Sequence, residues 1–410
     1  MSKNNFKFID LFAGVGGFHL ALESLGGKCV LASEIDKFCQ QTYSENFPDT
    51  NLQGDIYEIN KNPNDIPDHD VLCAGFPCQP FSKGGHRLGF EDTRGTLFYE
   101  IAKIVEHKRP EYLMLENVPN LVGHDNGNTW NTISTVLSDL GYIFTKLPIK
   151  FSPHLIGVPQ FRERVFILAK NQKDYGHDSI CNVERPTPPL PECSIYNVLQ
   201  NENEIDDVEK YKLKDEEVDR VNMWNDFINI IDGPLPGFPI WADQFRETYD
   251  VSDFPKWKKN FLIKNRKLYL DNKKGLDRWF KKYNDLKHLA QTHTKLEWQA
   301  GNSERDIWKL IFHFRPSGLR VKRPNYVPAL VAMTHTSIIG KYKRKITPRE
   351  AARLQSFPDN YILHSDNKQA YKQFGNAVNV DVIKYLASEL LKINYEGKVL
   401  IEKNQEKLFD

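Results

Sequence analysis

The chain has 410 residues, 40% of them hydrophobic and 27% charged, with a formal net charge of +1 and a mean hydropathy of −0.54. This composition excludes a disordered or collagen-like chain and leaves room for two domains with buried cores. No apolar run is long enough to span a bilayer, no signal peptide is expected, and six irregularly spaced cysteines suit neither a disulfide framework nor a zinc site. A cytoplasmic, reducing setting without a structural metal is the expectation.

Residues 6–12 read as a buried first strand, and Gly14, Gly16 and Gly17 then open a helix running to about Leu25. The Gly-x-Gly-Gly spacing puts His19 where a dinucleotide fingerprint would carry its third glycine. That argues against a pyrophosphate ligand. Close backbone approach with no phosphate to cradle suits S-adenosylmethionine better, the alternative being a tight turn with no ligand. Residues 28–32 form a second strand. Glu34, just past its end, can take ribose hydroxyls, and Asp55 in Gly54-Asp55-Ile56 can accept from an adenine amino group. Asp36 is placed to cap a helix that stops near Asn46.

Residues 70–74 form a further buried strand ending at Gly75, where Pro77 and Pro80 prevent a helix from starting. Cys78 lies between those prolines, at the strand end where open α/β sheets place reactive groups. A thiol on a stiff turn reads as a nucleophile, against the blander alternative of a small apolar filler. Strands at 111–116 and 164–169, with a helix near 129–140, continue the alternation, which predicts a parallel sheet with helices on both faces. The proline-dense residues 185–191 read as an exit from that domain, and 192 to about 345 show no such alternation. A helix returns at 346–357, with Thr347 as cap, Pro348 first and Glu350 third, and another lies at 380–391.

Charge is unevenly spread. Residues 201–220 carry nine acids against four bases, and 256–287 carry twelve bases against three acids. The basic block is interleaved with Trp257, Phe261, Tyr269, Trp279 and Phe280. It fits either a polyanion-binding face or an amphipathic helix with a solvated basic side. Arg315, Arg320, Lys322 and Arg323 lie on a second segment that is a better candidate for contacts to guanine edges.

Six motifs in order carry a resemblance. They are residues 8–17, residues 75–82 around Cys78, Glu116-Asn117-Val118, Gln160-Phe161-Arg162-Glu163-Arg164, residues 349–358 and residues 373–378. Over about 6–170 and 345–392 the chain resembles the DNA (cytosine-5) methyltransferases, most closely the bacterial enzymes of type II restriction–modification systems. The resemblance implies an α/β, Rossmann-like, S-adenosylmethionine-dependent domain at 1–185, a smaller, irregular target-recognition domain at 186–370, and a C-terminal helix at 371–410 returning to the first domain, with DNA in a cleft.

The resemblance also implies roles. Cys78 is the nucleophile that adds to C6 of cytosine, Glu116 the acid at N3, and Arg164 the donor to O2, supported by Arg162. Phe12, Ala13, Gly14, Gly16, Gly17, Glu34, Ile35, Asp55, Ile56, Pro77, Leu97, Asn376 and Val378 fall at cofactor-binding positions. Gln79, Ser82, Lys83 and Arg94 belong to a mobile, glycine-bearing loop over the DNA, which must present its cytosine flipped out of the stack. Ile35 stands where an aromatic often packs on the adenine, and Gly84 where some relatives carry a serine that enters the duplex. Double-stranded DNA and functional pairing with a cognate restriction endonuclease, without a stable complex, are the implied partnerships, with a monomer expected. The alternatives are a tRNA cytosine-5 methyltransferase and a catalytically silent DNA-binding protein. The large basic insert argues against the first, and retention of Cys78, Glu116, Arg162 and Arg164 against the second.

Overall fold

A computed structural model of the chain describes residues 5–77, 97–183, 185, 186, 188, 190–330 and 336–393. Two compact units emerge, one of residues 1–193, 328–332 and 351–410, the other of 194–327 and 333–350. Residues 186–193 and 351–370, grouped with the recognition domain on sequence, thus belong to the first unit. Phe357 and Tyr361 explain the second of these placements, because both pack edge-on against Phe374, and the Tyr361 hydroxyl donates to the Val15 carbonyl at 2.6 Å.

The first unit is built on a sheet of short, buried strands. These are β1 (Phe6–Leu11), β2 (Gly27–Ser33), β3 (Leu52–Gln53), β4 (Val71–Gly75), β5 (Tyr112–Asn117), β6 (Tyr142–Ile143), β7 (Ile149–Phe151) and, after the separate β8 (Gln160–Phe161), β9 (Arg164–Asn171). Their order is β3-β2-β1-β4-β5-β9-β6, with β7 also on β9. The five strands from β3 to β5 run parallel, and their near-continuous apolar sequences suit a sheet covered on both faces. β9 runs antiparallel to β5, pairing Glu116 with Phe166 and Asn117 with Val165. The alternation of strands and helices does not encode that reversal.

The helices of this unit are α1 (Gly17–Glu23), α2 (Lys37–Asn46), α3 (Ile56–Ile59), α4 (Leu97–Lys108), α5 (Asn128–Asp139) and α6 (Gln172–Tyr175). One core joins α4 and α5 to the inward residues Ile9, Leu11, Leu72, Leu113 and Ile167 of the sheet. The second unit holds α7 (Asp215–Ile230), α8 (Lys256–Asp271) and α9 (Lys273–Lys282), with β10 (Ile240–Trp241), β11 (Lys295–Gln299), β12 (Ile311–Arg315) and β13 (Gly318–Lys322) in one sheet. The Thr347–Glu350 capping box is formed as expected. The Glu350 N–H donates to Thr347 Oγ1 at 3.1 Å, and the Thr347 N–H to Glu350 Oε2 at 2.8 Å. It opens α10 (Pro348–Leu354), the helix within which the units divide; α11 (Asn367–Asn376) and α12 (Val380–Leu391) follow in the first unit. Asp36 and Asn379 cap α2 and α12.

Candidate active site

The first group of candidate residues sits at the carboxyl ends of β1 and β2. Phe12 and Gly14 adopt positive φ of 58° and 56°, so the chain reverses sharply on leaving β1, a conformation that is costly for a bulky residue. The Ala13 N–H donates to the Ser33 carbonyl at 2.8 Å, and the Gly14 N–H to Glu34 Oε2 at 2.8 Å. The other Glu34 oxygen accepts from the Asp36 N–H at 2.7 Å. Glu34 therefore clasps the glycine loop to the start of α2.

Gly16 and Gly17 are glycine for steric reasons. A Cβ on Gly16 would stand 2.4 Å from the Phe47 ring, and one on Gly17 would stand 2.7 Å from Val378 Cγ2. A Cβ on Gly14 would meet no described atom within 4 Å. The loop is thus closed behind Gly16 and Gly17 and open in front of Gly14. Ile35, beside Glu34, is 67% exposed. Asp55 caps α3 through the Tyr57 N–H at 3.0 Å, while the Ile56 side chain belongs to the core. Leu97 packs on that core from the first turn of α4, and Pro77 and Asn376 are exposed.

The second group lies where β5 ends. Glu116 is paired with Gly75 across β4 and β5, and a Cβ on Gly75 would come within 3.5 Å of Glu116 Oε2. Arg164, the first residue of β9, approaches Glu116 Oε1 with its Nε at 3.0 Å. Burial pushes the Glu116 carboxyl above the usual carboxylate range, although Arg164 and Arg162 pull the other way. Arg162 is buried, and donates from Nη2 to the Ala377 carbonyl at 3.0 Å and from Nη1 to the Leu330 carbonyl at 3.3 Å. Its Nε is buried with no hydrogen-bond partner among the described residues. A small pocket is lined by Glu116, Phe151, Arg162, Arg164, Phe166 and Val378, so Val378 borders both groups.

Cys78 lies outside the described residues, as do Gln79, Ser82, Lys83, Gly84 and Arg94. What is described of the approach to Cys78 is the Phe76 carbonyl, which accepts from Asn117 Nδ2 at 2.8 Å. Sequence reasoning gave Asn117 no role. It also passed over Asp10, which is fully buried beneath the glycine loop with neither carboxyl oxygen hydrogen-bonded among the described residues.

The chain matches the model of the C-5 cytosine-specific DNA methylase family over residues 6–392. The chain belongs to this family. Among its curated relatives, the type II methyltransferase M.AluI of Cellulosimicrobium cellulans is 34% identical over 98% of this chain and 96% of that protein. M.HhaI of Haemophilus parahaemolyticus is 33% identical over 93% of each. A solved DNA modification methyltransferase encoded within an E. coli prophage shares the fold at a TM-score of 0.56, with 21% identity over 94% of this chain and 99% of that one.

In the second unit of this methylase, the basic candidates divide. Arg320 stands opposite Glu297 in the β11–β13 register, and its Nε donates to Glu297 Oε2 at 2.6 Å. Arg323 Nε donates to the Ala300 carbonyl at 2.8 Å, and Lys322 lies over the Tyr326 ring. Arg315 ends β12, paired through its backbone position with Gly318, and its side chain has no hydrogen-bond or ion-pair partner among the described residues. The aromatic residues of the basic block are mostly structural, since Tyr269, Trp279 and Phe280 sit in the core of the unit and only Trp257, 61% exposed, stands out in solvent. Among the described residues, no group of three or more potential ligands could hold a metal ion, and no helix is long and apolar enough to cross a membrane.

Proposed function

We propose that this methylase transfers a methyl group from S-adenosylmethionine to C5 of a cytosine in duplex DNA, with Cys78 as the nucleophile. The observation that carries the reading is the Glu116–Arg164 pair. A buried carboxyl with a raised pKa is held at the end of β5, directly beside the strand that leads into Cys78.

The chemistry follows from what the ring needs. C5 of cytosine is a weak nucleophile. When the Cys78 thiolate forms a bond to C6, the electron pair moves through the ring toward N3, and C5 becomes enamine-like. Glu116, its carboxyl pushed upward by burial against the pull of Arg164 and Arg162, gives a proton or a hydrogen bond to N3 as charge develops there, while Arg164 donates to O2 and Arg162 holds this corner rigid. S-adenosylmethionine, when bound, supplies the electrophilic methyl group. Loss of the C5 proton to a base then returns the electron pair, breaks the Cys78–C6 bond and restores the thiolate.

The open loop fits that donor. The uncovered face of Gly14, the exposed Ile35 and the remaining lone pairs of Glu34 offer backbone, apolar surface and ribose acceptors together. Phe12, Ala13, Gly16, Gly17, Asp55, Ile56, Pro77, Leu97, Asn376 and Val378 complete the assignment.

The second unit reads the target sequence, and a type II role implies a cognate endonuclease acting on the same site in a bacterial cytoplasm. The deciding experiment is transfer of labelled methyl from S-adenosylmethionine to duplex DNA of diverse sequence, followed by sequencing for 5-methylcytosine. Label at one short recurring site supports the reading. Label on tRNA alone overturns it.

A further inference from the structure

The second unit contains a recess of about 320 Å³ that none of the roles above uses. Arg220 of α7, Thr292 and His293 of the turn Gln291–Thr294, and Phe314 and Arg315 at the end of β12 line it. Among the described residues, no acidic residue lines it.

Its polar side chains are idle. The Arg220 guanidinium lies over the Phe314 ring, 4.8 Å from the centroid, and its Nε is buried with no hydrogen-bond partner among the described residues. The side chains of Thr292, His293 and Arg315 make no hydrogen bond or ion pair among the described residues. The carboxylates that act on Arg220 are Glu216 and Glu217, and neither lines the recess. Arg320, five residues from Arg315, is by contrast neutralised by Glu297. An unpaired buried donor is costly, and two guanidiniums line one recess that no carboxylate among the described residues lines, a setting that suits an anion. Stacking on Phe314 limits the rotamers of Arg220, so little ordering would remain when an anion arrives.

We propose that this recess seats a backbone phosphate of the bound DNA, held by Arg220 and Arg315 with Thr292 as a further donor. The proposal rests on the function given above. It differs from base reading by these arginines, because a phosphate contact anchors the duplex whatever its sequence.

The test is the salt dependence of DNA binding by the full chain. Arg220→Gln and Arg315→Gln are each expected to weaken binding to unrelated duplexes and to the methylated site alike. Each should also lower the slope of log affinity against log salt by about 0.9. Arg220→Lys, which keeps the charge, should keep the slope. An unchanged slope in both glutamine variants overturns the proposal. So does a loss confined to one duplex sequence, which would mark base reading, or an Arg220→Lys slope as low as that of Arg220→Gln, which would mark lost packing. Methyl transfer by the wild-type chain on the same duplexes reads the underlying function separately. Transfer with unchanged slopes removes only the phosphate seat, and no transfer overturns both.

Discussion

The Asn117 side-chain amide donates to the Phe76 carbonyl across 2.8 Å, and both residues are buried. The bond joins the carboxyl ends of β4 and β5, one residue after Glu116 and two before Cys78. It ties the segment that leads toward Cys78 to the strand that bears Glu116. Asn117→Ala leaves the Phe76 carbonyl without its partner, which costs about 1–3 kcal/mol. Turnover on saturating DNA should fall by about tenfold or more, while the dissociation constant for S-adenosylmethionine, read by calorimetry, stays near that of the wild type. An unchanged turnover number would strip Asn117 of a positioning role.

Cys78→Ser should retain DNA and donor binding and lose methyl transfer altogether; full activity in that variant would end the covalent mechanism. Glu116→Gln should slow the chemical step by about 10²–10⁴-fold, the range for loss of a general acid. Single-turnover kinetics with pre-bound donor separate this from a binding defect. A variant that simply failed to bind the donor would place Glu116 in the wrong role.

Asp10 gives a pH prediction with a defined sign. Burial raises its carboxyl well above the usual range, and the Glu34 charge pushes the same way. In the unfolded chain the same group titrates near pH ~4. Above that pH, and up to the raised value, the folded protein holds a proton that the unfolded chain has released. Stability therefore falls as pH rises through this window, by at most about 1.4 kcal/mol per pH unit. Asp10→Asn removes that slope. Melting temperatures between pH 4 and 8 should show a gap in favour of the variant that widens with pH, and parallel profiles would mean that Asp10 is ionised in the fold.

Gly17→Ala should impair donor binding through Val378. The added methyl would stand 2.7 Å from Val378 Cγ2 and 3.0 Å from the Val378 carbonyl. Val378→Ala relieves the first contact but not the second, so the double variant should recover part of the lost affinity. Strict additivity of the two changes, measured by equilibrium binding of the donor, would show that the two positions do not touch.

Much of this was legible in the chain itself. Asp36 and Thr347 cap helices because their side chains reach N–H groups two or three residues away, and local chemistry of that range is written in local sequence. The glycine loop was readable for the same reason. The direction of β9 was not, since an apolar strand carries no mark of which way it runs. The pairing of Arg320 with Glu297 was hidden by a separation of 23 residues along the chain. Leu276, Trp279 and Phe280 fall at helical spacing on α9 and are buried, which favours the amphipathic helix with a solvated basic side, one of the two readings the basic block allowed.

The contact between Gly17 and Val378 also sets a timetable. The Tyr361 hydroxyl that holds the Val15 carbonyl stands 346 residues downstream of it. A ribosome therefore exposes Val15 well before the Tyr361 that holds it. During synthesis, β1 and α1 wait with their outer face unsealed until α11 and α12 emerge. A chain that has not yet reached α11 and α12 therefore lacks the wall of its own proposed donor site, and gains it only once those helices are made.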